Sequence, residues 1–173
     1  IEQSEKVADL YTQLGQYDAA LEYYNISLNN ADKISANEKL PRIYRLIGNV
    51  YYYLGEYDKC LESHLESLRY AEIAKDEESI AGAYNKIGLI NMKSEKYDEA
   101  LENYIKAEKM FAKTGSLLNQ GRSIINIGNI YYFKKEYDNA LGFYQRALNI
   151  FEKTSEPAEI ALAAQNISVL YDD

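Results

Sequence analysis

The stretch Ile47-Gly48-Asn49-Val50-Tyr51-Tyr52-Tyr53-Leu54-Gly55-Glu56-Tyr57-Asp58 decides how the chain is read. It returns as Ile127-Gly128-Asn129-Ile130-Tyr131-Tyr132-Phe133-Lys134-Lys135-Glu136-Tyr137-Asp138. A looser copy lies between them: Ile87-Gly88-Leu89-Ile90, closing on Lys96-Tyr97-Asp98. A degenerate one opens the chain with Val7-Ala8-Asp9-Leu10-Tyr11, then Leu14-Gly15-Gln16-Tyr17-Asp18. The Tyr-Asp pairs start at Tyr17, Tyr57, Tyr97 and Tyr137, a constant stride of 40 with no insertion or deletion. A fixed period in this range marks a stack of repeated supersecondary units.

Three small-residue positions recur in each unit. The first holds Ala8, Gly48, Gly88, Gly128 and Ser168; the second Ala20, Cys60, Ala100 and Ala140; the third Ser27, Ser67, Ala107 and Ala147. Bulky residues stand beside them, including Ile47, Ile87 and Ile127, then Leu21, Leu61, Leu101 and Leu141. Small side chains let helix backbones approach, and large neighbours fill the grooves. Cys60 therefore reads as a buried structural thiol. His64 is the only histidine and stands where Tyr24, Tyr104 and Tyr144 recur, so it reads as a packing residue. Asp18, Asp58, Asp98 and Asp138 fall in the first turn of each unit's second helix, where a carboxylate meets the positive end of the helix dipole.

The pattern Tyr44-x2-Ile47-Gly48-x2-Tyr51, then Tyr57, Cys60, His64 and Ser67, resembles the tetratricopeptide repeat, a helix-turn-helix unit usually of about 34 residues. The resemblance covers four units and the first helix of a fifth. It implies an all-α fold, a right-handed superhelical α-solenoid of stacked antiparallel helix pairs. The sequence departs from the family pattern in its longer period, in lacking the proline near the end of the second helix, and in carrying Asn91 in place of an aromatic.

The expected organisation is a single array over 1-173. Its units span about 1-36, 37-76, 77-116 and 117-156, and a capping or half-repeat helix follows over 157-173. Helices are expected to run from about Glu2 to Leu14, Tyr17 to Lys33, Pro41 to Leu54 and Tyr57 to Lys75. Thr114-Gly115-Ser116 ends one helix and caps the next, and Ser155-Glu156-Pro157 starts the last. The chain begins with Ile rather than Met and stops after one helix of a unit. Both suggest a piece of a longer protein.

A net charge of −8 and a pI near 4.8 argue against nucleic acid or an anionic membrane as a partner of this segment, since both favour a basic face. No apolar run reaches the ~18 residues of a membrane span, and no signal-peptide pattern is present. The compartment expected is the cytoplasm, with an extracytoplasmic sensor region as the alternative. No metal-ligand spacing, phosphate-binding glycine loop or catalytic constellation is visible, so no catalytic residue, cofactor or metal is expected.

In the tetratricopeptide resemblance the first helix of each unit lines a concave groove. By register the groove carries Glu5 and Asp9 in the first unit. Arg42, Arg45, Asn49 and Tyr52 follow in the second, Asn85 and Lys86 in the third, and Arg122, Ile125, Asn126, Asn129 and Tyr132 in the fourth. Asparagine both donates and accepts, as a peptide backbone does; arginine pairs with carboxylates; tyrosine offers apolar area with a polar tip. Arg45 with Asn49 and Arg122 with Asn126 partly resemble the carboxylate clamp of chaperone-binding members, though Lys86 stands where an asparagine belongs. Asn49 and Asn129 are similar to the groove asparagines of kinesin light chains and bacterial peptide-pheromone receptors. The function expected is a non-catalytic scaffold that binds a protein or peptide segment, as the sensory or docking part of a larger bacterial regulator. The alternative is a structural spacer or self-association element whose partner is a second copy.

Overall fold

The computed structural model describes residues 1–172. Among them the chain forms nine α-helices and no strand: α1 Glu2–Gln13, α2 Tyr17–Lys33, α3 Leu40–Leu54, α4 Tyr57–Ala74, α5 Glu77–Lys93, α6 Tyr97–Thr114, α7 Leu117–Phe133, α8 Tyr137–Thr154 and α9 Pro157–Asp172. A short 3-10 turn, Asn37–Lys39, leads into α3, which has Pro41 in its first turn. There the missing N–H of proline costs no helical bond. The span expected for the last helix reaches Asp173, which lies outside the described residues.

The stride of 40 recurs in how the helices end. Between the two helices of each repeat, Gly15, Gly55, Glu95 and Lys135 take positive φ (71°, 75°, 59° and 62°). The next residue donates its N–H five positions back in every case: Gln16 to the Tyr11 carbonyl, Glu56 to Tyr51, Lys96 to Asn91 and Glu136 to Tyr131, at 2.8–3.0 Å. Between repeats, Ser35, Lys75, Gly115 and Ser155 are also left-handed, and Ala36, Asp76, Ser116 and Glu156 close the same bond onto Ala31, Ala71, Phe111 and Phe151. Each closure satisfies carbonyls that the helix end would otherwise leave orphaned. Ser116 precedes α7 without capping it through its side chain, contrary to expectation; its Oγ accepts from Asn119 Nδ2 at 3.1 Å instead. Asp76 caps α5 by accepting from the Ser79 N–H (3.1 Å) and hydroxyl (2.6 Å).

The second helix of every repeat buries one narrow stripe at helical spacing. It comprises Ala20, Tyr24, Ser27 and Ala31 in α2; Cys60, His64, Ser67 and Ala71 in α4; Ala100, Tyr104, Ala107 and Phe111 in α6; and Ala140, Tyr144, Ala147 and Phe151 in α8. Four rings of these stripes lie against glycines of the first helices. A Cβ on Gly48, Gly88 or Gly128 would come within 2.8, 2.9 and 2.5 Å of His64, Tyr104 and Tyr144. Gly121 likewise faces Phe151. As the partner moves from Gly121 to Gly128, its ring moves back from Phe151 to Tyr144, so α7 and α8 run antiparallel.

The chain divides into two compact units, Ile1–Ala83 and the residues from Tyr84 onward, with the boundary inside α5. The first unit's core gathers Ala8, Ala20, Tyr24, Ile43, Ile47 and Val50. In the second, Tyr104, Ile127 and Ile130 form one cluster, and Ile124, Tyr144, Phe151 and Ala163 of α9 form another.

Candidate functional site

In the first unit the candidate face is carried by α1 and α3. Arg42 is committed within the protein: its Nε lies 2.9 Å from Glu5 of α1, a carboxylate buried to 5% exposure although it too was expected on the groove face. Next to this pair, Asp9 accepts a short hydrogen bond from the Tyr24 hydroxyl, and burial together with that bond pushes the phenol pKa up. Lys39 pairs with Glu2 at 3.1 Å. These residues surround a cavity of about 300 Å³ lined by Glu2, Glu5, Lys6, Asp9, Lys39 and Arg42.

Arg45, one turn further along α3, is different. It is half-buried, and among the described residues no carboxylate lies within ion-pair distance of it. Burial pulls its pKa below the ordinary guanidinium value, and the nearby positive charge of Arg42 adds to the effect. The cause is legible in the register. Arg42 covers Glu5 from the following repeat, whereas the residue one stride after Arg42 is Gly82. A Cβ there would meet nothing within 4 Å. Asn49, one more turn along, is half-buried with no side-chain hydrogen bond among the described residues. Tyr52 completes the row, packed at an angle against Tyr53 and Tyr57 (centroids 6.2 and 5.9 Å).

In the second unit the same positions are largely used up by the protein itself. Arg122 donates through Nε and a terminal nitrogen to one oxygen of Glu159 in α9, at 2.9 and 2.6 Å. Asn126 donates to Asn85 Oδ1 at 3.2 Å, and the Ser123 hydroxyl reaches the same oxygen at 3.4 Å. Asn129 accepts from the Tyr144 hydroxyl at 2.8 Å. Burial, then the neighbouring Tyr132, pushes the Tyr144 phenol up to about 12. Tyr132 stands edge-on to Phe133 and tilted on Tyr137. Lys86 is half-buried on α5. Ile125, also expected on this face, is only 4% exposed and belongs to the cluster that Ala163 completes.

Among the described residues no group of three or more His, Cys, Asp or Glu is arranged to hold a metal ion, and no helix is long and apolar enough to cross a membrane. Arg45 and Asn49, which have no ion-pair or side-chain hydrogen-bond partner among the described residues, both lie on α3.

A family profile described as tetratricopeptide repeat matches residues 2–73 and 79–153. The chain belongs to the tetratricopeptide repeat family. The array is similar to the crystal structure of BtubC from P. vanneervenii, at 25% identity and TM-score 0.89, over 99% of this chain and 71% of that one. It is similar to a signal transduction ATPase with numerous domains and a tetratricopeptide repeat sensor from Pyrococcus horikoshii, at 23% and 0.87, over 98% of this chain and 26% of that one. It is also similar to aspartyl phosphate phosphatase F from Bacillus subtilis, at 16% and 0.92, over 98% of this chain and 44% of that one. The last two likenesses carry the fold alone, and the array spans less than half of either protein. A search of curated proteins gives no match.

Proposed function

We propose that this chain is a non-catalytic module that binds a protein or peptide segment on the face carried by its first helices, as the sensory or docking part of a larger bacterial regulator. The observation that supports this most is Arg45: a half-buried guanidinium with no carboxylate partner, opposite Gly82, with the unengaged Asn49 one turn away. Removing an arginine from water without a partner is costly, and an incoming carboxylate offsets that cost with a charge-assisted bond. Asn49 then has both a donor and an acceptor for the backbone of the same segment. Arg42, Asn85, Arg122, Asn126 and Asn129 play a supporting part in this reading, because each already bonds within its own unit.

The test is a fluorescence-anisotropy screen of a labelled peptide library, followed by Arg45→Ala and Asn49→Ala. Loss of a charged hydrogen bond corresponds to a roughly tenfold or greater weakening for Arg45→Ala. A best peptide whose affinity is unchanged in the folded double variant refutes the assignment. A second reading, self-association, draws on α9, which leaves Leu162, Val169 and Tyr171 exposed. A concentration-dependent dimer by light scattering, with no peptide hits, favours it.

A further inference from the structure

The second repeat keeps a tyrosine that has lost its aromatic cover; the Lys59 ammonium lies over the Tyr51 ring, 5.4 Å from its centroid. In the first repeat Tyr11 stacks on Tyr23 (centroids 5.5 Å apart, planes 21°), and in the fourth Tyr131 stacks on Phe143 (5.2 Å, 8°). In the third repeat both positions are asparagine, Asn91 and Asn103. Only the second mixes the two cases: Tyr51 stands in α3, but the position of Tyr23 and Phe143 is Ser63. Ser63 is 7% exposed, and its hydroxyl turns back onto the Lys59 carbonyl at 2.8 Å. The missing ring leaves a cavity of about 330 Å³ between α2 and α4, bounded by Leu28, Tyr44, Ile47, Tyr51 and Ser63. A second hollow of about 330 Å³ continues from it along the same groove toward Leu40 and Tyr70. The floor is one face of α3, where Leu40, Tyr44, Ile47 and Tyr51 fall at helical spacing.

The corresponding groove of the fourth repeat is shut. Phe143 covers Tyr131, the Arg146 guanidinium lies over Phe143 at 5.3 Å, and Arg146 reaches across from α8 to Glu108 of α6 at 3.5 Å. In the second repeat the residues at the Arg146 and Glu108 positions are Glu66 and Leu28, which form no bridge. The groove is therefore open along its length, with acidic walls. Asp32, Glu62 and Glu66 line it; Glu66 is paired with Arg69, and the lining Lys59 with Glu56. Asp32 and Glu62 have no ion-pair partner among the described residues.

We propose that the groove between α2 and α4 is a second binding surface. It takes a protein segment that inserts one aromatic side chain beside Tyr51 and presents a lysine or arginine to Asp32 and Glu62. The aromatic takes the place that Phe143 fills in the fourth repeat, and the basic flank answers the charge of the walls. The surface is separate from the face that carries Arg45 and does not depend on it.

The test uses the isotopically labelled chain and three blocked peptides: phenylalanine flanked by lysines, alanine flanked by lysines, and phenylalanine flanked by glutamates. The lysine–phenylalanine peptide is expected to shift the Tyr51 and Ser63 amide resonances and to bind roughly tenfold or more tightly than the other two. Ser63→Phe supplies the missing ring and is expected to abolish those shifts. Asp32→Lys with Glu62→Lys, both on exposed rims, is expected to reverse the preference toward the glutamate-flanked peptide, and serves should Ser63→Phe fail to fold. Arg45→Ala is expected to leave all of this unchanged. Equal shifts from the alanine peptide, shifts that avoid Tyr51 and Ser63, or binding undiminished in folded Ser63→Phe and in the charge-reversed variant overturn the proposal.

Discussion

At Gly128 the ring of Tyr144 lies so close that an added methyl would sit 2.5 Å from it. Tyr144 cannot retreat without giving up its hydrogen bond to Asn129. Gly128→Ala is therefore expected to lower stability by about 1–3 kcal/mol in urea unfolding. Gly142, on the open side of α8 with nothing within 4 Å, gives the opposite sign: Gly142→Ala is expected to raise stability by up to about 1 kcal/mol. The same tyrosine gives a pH dependence. Its folded pKa is raised to about 12 from an ordinary value of 10.0. Its contribution is therefore complete below about pH 10 and is lost as pH rises through about 12. Denaturant midpoints measured across that window should fall more steeply for the parent than for Tyr144→Phe. At this scale the sequence was legible wherever a residue repeats, as with Ala20, Cys60, Ala100 and Ala140, all buried. It was misleading for Ile125 and Glu5, because a first-helix residue looks the same in sequence whether a ligand or the neighbouring repeat covers it.

Helix ends show the economy of the repeat most plainly. The first two repeats place a glycine at the left-handed turn and the last two place Glu95 and Lys135, at the same φ within about 16°. A side chain in that conformation costs on the order of 1 kcal/mol. Lys135→Gly is expected to raise stability by about 0.5–1 kcal/mol, and Gly55→Ala to lower it by a similar amount, read as shifts in thermal midpoint. Consecutive first helices are tied by the Arg42–Glu5 pair. Arg42→Ala strands a nearly buried carboxylate and is expected to cost about 1–3 kcal/mol, much of it recovered by adding Glu5→Gln. Helix limits were readable because the residues that close each turn recur with the Tyr-Asp pairs. The 3-10 turn Asn37–Lys39 was not, since it occurs once and no period announces it. The intramolecular partners of Arg42 and Arg122 are not legible in the sequence, because Glu5 and Glu159 lie 37 positions away, beyond any local spacing rule.

Over the whole molecule the net charge of −8 disfavours contact with polyanions. At roughly physiological salt the chain is expected to cause no retardation of duplex DNA and no co-sedimentation with phosphatidylserine vesicles. A gel shift and a vesicle spin-down check this. Fold class is visible from the stride alone, whereas the proposed binding points are not. Both proposals start from a departure from the repeat: Gly82 stands where Arg42 and Arg122 recur, and Ser63 leaves Tyr51 without the ring that Tyr23 and Phe143 give Tyr11 and Tyr131. The recurring closure of each helix end has a further consequence. Every block is cut off by the same bond between the same two offsets, so any junction presents the same pair of stubs. Copying or excising a whole block at the gene level rejoins matching ends, while inserting or deleting a few codons inside a helix turns the rest of that helix's buried stripe off its face. Such an array grows or shrinks in steps of one block, and individuality arises afterwards, one side chain at a time.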